Sequence, residues 1–378
     1  MRIVITGADG FLGKNLRVRL PELGHTDVTC ITRSTSPGTA HDALTDASCV
    51  FHMAGVNRPQ DPAEFVTGNA GLTASLCTTL TEAGRRATLV FASSTQAALN
   101  NPYGSSKLAA EEAARAYSGL AGAPVYVFRL ANVFGKWARP NYNSAVATFC
   151  YNIARGLPIK VNDPSMPLEL LHVDDVMQAF VRCIPQVDQC GAAPAVAPDV
   201  FAEVGPVYDS TVGEVANTLR SFAESRSSLL VPRVGTGLVR ALYSTYLSYL
   251  PPEAFGYEVP RHSDRRGVFV EMLKTPDCGQ FSYFTAPPGI TRGEHYHHSK
   301  TEKFLVVKGT ARFGFRHVIT GQTYQLVTHG EEAKIVETAP GWTHNITNIG
   351  DDEMVVMLWA NENFDRQMPD TIAMRVSA

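Results

Sequence analysis

The sequence predicts an α/β fold that binds a dinucleotide, followed by a smaller part built from strands. The apolar run Arg2 to Thr6 leads directly into a glycine-rich loop, Gly7 to Gly13, and then into a helical pattern. Beyond Pro251 and Pro252 the pattern changes to strand-like alternation interrupted by Gly and Pro. We therefore predict two domains, residues 1–250 and 251–378.

Composition narrows the class of protein. The chain has 378 residues, enough for two cores, and a formal net charge of -3 that gives no reason to expect nucleic acid or an anionic membrane as a partner. No apolar run reaches the ~18 residues of a spanning helix, and the first strand begins without a signal peptide. The seven cysteines are scattered and form no Cys-x2-Cys pair. We expect a cytoplasmic protein without membrane or nucleic-acid partners.

The glycine loop is expected to bind the cofactor. Gly7, Gly10 and Gly13 allow a tight turn and let a pyrophosphate approach the N–H groups at the start of a helix. The flanking cofactor-binding candidates are Phe11, Leu12 and Ala54, the last at the carboxyl end of a later strand.

The residue after the second strand bears on the choice of cofactor. An acidic residue about ~20 positions beyond the loop binds the ribose 2′-hydroxyl of NAD, whereas an arginine accommodates a 2′-phosphate. This chain has Arg33, so we expect NADP(H). The alternative is that Arg33 is a solvated charge at the strand end.

Three residues are candidates for the chemistry. Tyr103 and Lys107 are four positions apart on a helix that begins near Pro102, so they share one face. An adjacent ammonium is expected to lower the pKa of the phenol from ~10, which would let Tyr103 act as an acid or base near pH 7. Ser94, at the end of an apolar strand, can hydrogen-bond the same substrate oxygen. Taken alone, Tyr-x3-Lys also occurs by chance on surface helices.

These motifs resemble the extended short-chain dehydrogenase/reductase family. The likeness spans roughly residues 1–220 and includes Val50 to Gly55, Arg129 to Gly135 and Leu171 to Val176. It implies a doubly wound parallel sheet, a nicotinamide cofactor and commonly a nucleotide-sugar substrate.

The chain departs from the family pattern in two places. The interval before the strand starting at Cys49 leaves little room for a full crossover helix. The interval between Ser94 and Tyr103 is short, so substrate contacts are expected downstream, at Asn132 and in residues 136–144.

The second domain carries a set of metal-ligand residue types. His-x-His on a strand puts two imidazoles on one face, and a carboxylate and a third histidine from other strands can complete the site. The candidate ligands are His295, His297, Glu302 and His344.

These residues resemble the two motifs of the cupin superfamily, which implies a jelly-roll barrel. The second motif is one residue short between Pro340 and Gly341. We expect a divalent metal, with zinc favoured over iron or manganese because no redox partner is implied. The alternative is a metal-free cupin in which His295 or His297 acts as a base.

Residues 264–271 are similar to a signature of deoxysugar 3,5-epimerases. In that family the segment lies beside the nucleotide sugar, and Arg266 and Glu271 match its positions.

The whole chain resembles the bifunctional capsule and O-antigen enzymes of the UDP-N-acetyl-L-fucosamine route. That resemblance implies that the cupin epimerises C3 of UDP-2-acetamido-2,6-dideoxy-4-hexulose. The first domain would then reduce the C4 ketone with NADPH to UDP-N-acetyl-6-deoxy-L-talosamine, and a homodimer is expected at the family level.

Three other hypotheses remain open. The cupin could be only a structural or dimerising module, or the first domain could be an epimerase or dehydratase that keeps its cofactor bound. A redox-sensing binding protein without catalysis is the third.

Overall fold

The computed structural model describes residues 1–185, 200–264, 267–270, 272–273, 275, 279–362 and 367–377. The chain divides into two compact units, residues 1–133 with 169–209 and residues 134–168 with 210–378. The domain boundary near residue 250, drawn from a change in sequence pattern, stays a prediction.

The α-helices of the described residues are, in chain order, α1 (Phe11–Glu22), α2 (Pro37–Thr45), α3 (Ala63–Phe65), α4 (Leu72–Glu82), α5 (Pro102–Ala121), α6 (Ala145–Ile153), α7 (Val173–Val181), α8 (Val212–Ser228) and α9 (Gly237–Ser248). A π-helical segment, Val66–Gly71, joins α3 to α4, and 3₁₀ turns occupy Thr95–Ala98 and Pro252–Phe255.

The strands of the first unit and of the chain up to α8 are β1 (Ile3–Thr6), β2 (Val28–Ile31), β3 (Cys49–His52), β4 (Thr88–Ser94), β5 (Val125–Leu130), β6 (Asn132–Phe134), β7 (Pro167–His172), β8 (Val200–Phe201) and β9 (Val207–Thr211). Those that follow α9 are β10 (Gly256–Glu258), β11 (Arg261–Asp264), β12 (Gly267–Val270), β13 (Gln280–Ala286), β14 (Thr291–Tyr296), β15 (Glu302–Lys308), β16 (Thr310–His317), β17 (Thr323–His329), β18 (Lys334–Glu337), β19 (Trp342–Asn348), β20 (Met354–Ala360) and β21 (Ile372–Ala373).

The first unit is built on a parallel sheet with strand order β2-β1-β3-β4-β5-β8. One face packs against α1 and α7 through residues such as Leu16 and Phe180, and the other against α4 and α5 through Leu80 and Ala114. The predicted doubly wound sheet is therefore confirmed. The strand order reverses between β1 and β3, and ligands bind at such points in open α/β sheets.

A helix lies between β2 and β3, in the interval where the sequence suggested little room for a full crossover helix. Helix α2 has nine residues, begins with Pro37 in its first turn and is capped by the Ser36 hydroxyl, which accepts from the Thr39 amide. Ala43 and Leu44 are buried against the sheet. A short crossover suffices because the helix starts close to the end of β2.

The second unit combines three helices with a β-barrel. Helices α6, α8 and α9 pack together, and α8 begins with a capping box, in which Thr211 and Glu214 exchange side-chain to backbone hydrogen bonds. Two antiparallel five-stranded sheets follow, β10-β18-β15-β20-β13 and β17-β16-β19-β14-β21. The predicted all-β jelly-roll domain is confirmed.

Among the described residues, the structure has no helix of the length and apolar character needed to cross a bilayer.

Candidate active site and metal centre

The glycine loop is packed too closely for side chains. Gly7 has a φ of 67°, and a Cβ there would lie 2.7 Å from the Ala54 amide nitrogen. A Cβ on Gly13 would lie 2.3 Å from the Gly7 carbonyl oxygen. The loop, α1 and the end of β3 therefore meet backbone to backbone, as the fingerprint requires.

The start of α1 is suited to an anion. Gly10 is its N-cap residue and provides no side-chain cap, so the first amides of the helix are left for a ligand or water. Phe11 and Leu12 begin the helix and are half-buried. Arg33 follows β2 with an exposed side chain, so its role in choosing NADP(H) stays a prediction.

Helix α5 positions the catalytic candidates. The Asn101 side chain caps it by accepting from the Gly104 amide at 2.8 Å. Lys107 is 7% exposed, and its Nζ donates to the Ala92 carbonyl at 2.8 Å. Burial lowers the pKa of Lys107 to about 8, against the opposing effect of the Glu111 carboxylate. The structure thus places the ammonium against β4 at Ala92, two residues before Ser94.

Tyr103 differs from the expectation. Burial raises the pKa of its phenol, and only a hydrogen bond with Ser94 opposes this. The prediction that Lys107 lowers the pKa of Tyr103 towards neutrality is wrong for the cofactor-free chain, because desolvation penalises the phenolate and the ammonium donates to Ala92. The phenol is therefore protonated at neutral pH, which is the state that donates a proton.

The four predicted metal ligands come together in the second unit. One ligand atom from each of His295, His297, Glu302 and His344 lies within 4.8 Å of the others. Glu302 Oε2 is 3.2 Å from His297 Nε2 and 3.4 Å from His344 Nε2. Ligand atoms around a tetrahedral zinc are about 3.4 Å apart. The cluster therefore fits an ion once its more widely spaced ligand atoms move slightly closer together. The short second motif does not displace His344.

The hydrogen bonds of His297 also suit a metal. Its Nδ1–H donates to the Asp370 carbonyl, which leaves Nε2 facing the Glu302 carboxylate. Without an ion, burial opposes the charge on His297, but Glu302 raises its pKa above the usual value. Burial and His344 lower the pKa of His295 to about 4. A cation would replace the proton between His297 and Glu302.

A cavity of about 190 Å³ adjoins the cluster within the barrel. His295, Glu302 and His344 form one wall, and Arg292 and Asn345 supply polar groups. The remaining lining is apolar and comes from both sheets, namely Phe284, Gly293, Phe304, Phe313, Ile346 and Leu358. An apolar lining with a few polar and charged groups on one side is typical of a small-molecule site.

Comparison with known proteins identifies a family model for each of the two predicted domains. The model of the NAD dependent epimerase/dehydratase family matches residues 3–195, and that of the polysaccharide biosynthesis C-terminal domain matches residues 262–372. The chain belongs to the NAD dependent epimerase/dehydratase family.

Two known proteins are similar to this chain along its whole length. It is 54% identical over 376 residues to the UDP-2-acetamido-2,6-beta-L-arabino-hexul-4-ose reductase of Pseudomonas aeruginosa, covering 100% of this chain and 99% of the relative. It is 40% identical to the crystallised capsular polysaccharide assembling protein CapF of Staphylococcus aureus, with a TM-score of 0.65 over 99% and 100% of the chains. The resemblance inferred from the motifs is confirmed.

A third likeness concerns the fold alone. The enzyme WbmF of Bordetella bronchiseptica, crystallised with NAD+, is 20% identical and has a TM-score of 0.50, covering 59% of this chain and 78% of its own.

Of the remaining predicted substrate residues, the structure describes Asn132 but not Arg266 or Glu271. Asn132 is exposed at the start of β6, and its amide donates to the Glu169 carbonyl at 3.2 Å. Arg266 and Glu271 lie outside the described residues. The roles of all three stay predictions.

Sequence reasoning missed the polar groups that support the reductase site. Asn69, in the π-helical segment, bonds both backbone groups of Val56 and the Ser106 hydroxyl. Glu111 is fully buried one turn after Lys107 and is held by Arg129 and the Ser93 hydroxyl. The available signal was a Tyr-x3-Lys-x3-Glu spacing, which places Glu111 on the same helical face.

Proposed function

We propose that the first unit reduces the C4 ketone of a UDP-linked 2-acetamido-2,6-dideoxy-hexulose with NADPH, giving UDP-N-acetyl-6-deoxy-L-talosamine. The observation that carries this proposal is the grouping of Tyr103, Ser94 and buried Lys107 towards the carboxyl end of β4. The same sheet carries a glycine loop in which there is no space for a Cβ at Gly7 or Gly13. The reductase relative, 54% identical end to end, supports the substrate class.

The chain's own groups have separate roles in this reaction. NADPH, when bound, supplies the hydride that adds to C4. Tyr103 donates the phenolic proton to the carbonyl oxygen, and Ser94, already hydrogen-bonded to Tyr103, orients that oxygen. Lys107, which does not lower the pKa of Tyr103 in the cofactor-free chain, would act once the cofactor is bound, by binding the nicotinamide ribose and stabilising the phenolate that remains. Ketone, hydride and proton together give the alcohol.

We propose further that the barrel epimerises C3 of the same keto sugar. His295, His297, Glu302 and His344 would hold a divalent metal, with zinc favoured by the three imidazoles and one carboxylate. The metal would supply Lewis acidity that stabilises the enolate left when a base removes the C3 proton, and return of a proton to the opposite face of C3 would complete the inversion. The adjoining cavity, which is lined by His295, Glu302 and His344, supports this proposal.

The reductase is tested by Tyr103→Phe. We expect NADPH oxidation with the UDP-4-keto sugar to fall by at least about 100-fold, the usual contribution of a general acid, while NADPH still binds. The matched control is Tyr117→Phe, which removes a phenol on the same helix that donates to the Ala87 carbonyl. Reduction by the Tyr103→Phe protein at the parent's rate refutes the proposal.

The epimerase is tested by NMR in deuterated water. With the keto sugar and no NADPH, the parent should exchange the C3 proton for deuterium, and His297→Ala or a chelator should abolish the exchange. Exchange that survives chelation but not His297→Ala supports the metal-free alternative with a histidine base. Exchange unchanged by both supports a purely structural barrel.

Two other proposals concern the state of the protein. Stoichiometric NADPH consumption would exclude an epimerase or dehydratase that recycles its cofactor. We also propose a cytoplasmic homodimer, which light scattering of the purified protein and cell fractionation would test.

A further inference from the structure

We infer that the C-terminal segment, Asp370 to Val376, positions the metal ligands, with Asp370 as its principal residue. The inference rests on the proposed metal centre and concerns residues outside the four ligands. The segment hydrogen-bonds His297 itself, the turn that leads to Glu302, and Glu294 beside His295.

The Asp370 carboxylate holds the turn between two ligands. Its Oδ1 accepts from the His298 amide at 2.8 Å, and its Oδ2 accepts from the Ser299 and Lys300 amides, each at 2.7 Å. The Ser299 hydroxyl also donates to Oδ2 at 3.1 Å. This turn directly joins His297 to Glu302, so its shape sets the spacing between the two ligands.

The main chain of Asp370 acts on His297 itself. The carbonyl accepts from His297 Nδ1, which fixes the ring orientation and directs Nε2 towards Glu302. Such second partners of metal-binding histidines raise metal affinity because they fix the tautomer.

The same segment holds the strand that carries His295. The pairing of β14 with β19 shifts register between Gly293 and His295, so Glu294 is an extra residue with a φ of 61°. Glu294 Oε2 accepts from the Val376 amide at 2.7 Å, and its carbonyl accepts from the Met374 amide at 2.8 Å. A non-glycine residue in this conformation is strained, and it persists only where its surroundings hold it.

Other parts of the second unit hold the segment and the turn. Arg316 Nε donates to the Val376 carbonyl at 2.9 Å, and β21 pairs with β14 next to His295. Arg240 of α9 donates to the Ser299 hydroxyl and pairs with Glu362 at 3.0 Å. The segment is therefore built into the barrel around the cluster.

The test measures zinc affinity by competition with a chromophoric chelator. We expect Asp370→Ala to weaken zinc binding by about 10–100-fold, as loss of a partner to metal ligands does. Asp370→Asn, which keeps one acceptor oxygen, should be intermediate, and Glu294→Gly should also weaken binding. The matched control is Asp163→Ala, which removes a carboxylate that accepts from the Ser165 amide at 2.9 Å in another loop.

A second readout needs no metal. ¹⁵N NMR of the metal-free parent should show His297 with a proton on Nδ1, and a chain ending at Pro369 should lose that signature. If this truncated chain does not fold, Asp370→Ala carries the measurement, because the carbonyl of residue 370 is then no longer held against His297 by the bonds of the carboxylate to the turn. Zinc affinity and the His297 signature both unchanged in folded Asp370→Ala would overturn the inference. A parent that binds no zinc would instead refute the metal centre, and the NMR signature alone would decide the positioning role.

Discussion

Lys107 is nearly excluded from water, and this has a measurable consequence for stability. Its pKa in the folded, cofactor-free protein is about 8, below its ordinary value of 10.5, because burial penalises the charged form. Between these values the unfolded chain binds more protons than the folded chain. The penalty is therefore fully present below about pH 8 and is relieved as the pH rises towards about 10.5.

We predict that the parent gains stability relative to Lys107→Met by about 2 kcal/mol between roughly pH 7 and pH 9.5. Urea unfolding without cofactor, followed by far-UV circular dichroism at both pH values, measures the difference. A difference that does not change with pH would show that Lys107 is not desolvated as described.

A second buried lysine has the opposite environment. Lys303 donates to Glu337 and to the Tyr257 hydroxyl, and Arg226 lies 3.3 Å from the same carboxylate. Burial opposes ionisation of Glu337, but Lys303 and Arg226 hold its pKa below the usual value. This buried cluster joins α8 to strands β15 and β18 of the barrel.

We predict that Glu337→Gln destabilises the second unit by about 3–5 kcal/mol, because it leaves Lys303 buried without its counter-charge. The control is Glu332→Gln, in an exposed pair with His329 at 3.4 Å, which should change stability by no more than about 1 kcal/mol. All three tryptophans, Trp137, Trp342 and Trp359, lie in this unit, so urea unfolding followed by tryptophan fluorescence reports on it. Equal losses in both variants would contradict the prediction.

At the scale of the element, the glycine loop requires glycine for two separate reasons, a positive φ and the lack of space for a Cβ. Gly7 needs both a left-handed backbone and the space that a Cβ would occupy against Ala54. Gly84 has the same φ of 67° but nothing within 4 Å of its Cβ position. The two positions separate backbone strain from steric exclusion.

We predict that Gly84→Ala costs about 1 kcal/mol of stability and leaves NADPH binding unchanged. Gly7→Ala should cost more and should weaken NADPH binding at least tenfold, because the loop must move away from the end of β3. Cofactor fluorescence titration and urea unfolding of both variants give the comparison. Parent-like cofactor affinity in Gly7→Ala would mean that the loop does not bind the cofactor.

At the scale of the whole molecule, the two ligands should protect different elements. A ligand at about 100 times its dissociation constant stabilises the form that binds it by about 2.7 kcal/mol. Hydrogen exchange should therefore slow in β1 and the start of α1 on adding NADPH, and in β14 and β19 on adding zinc to the metal-free protein. Zinc-dependent protection of the glycine loop without any in β14 or β19 would contradict the assignment of the metal.

The sequence by itself determined the elements whose signals are local. The strand, glycine loop and start of α1 follow one another directly, and Tyr103 and Lys107 share a face because helical geometry sets their spacing. His295, His297 and Glu302 are close along the chain, so their grouping was readable before any fold was known.

Tertiary structure decided what depends on groups distant in sequence. The direction of the Tyr103 pKa follows from burial, which spacing along a helix does not report. Asp370 is 70–72 residues from the amides of the turn it holds, and the register shift at Glu294 depends on pairing with β19. Short-range patterns fix which elements form because backbone geometry is local, whereas desolvation, register and support of the ligands arise only when remote segments pack together.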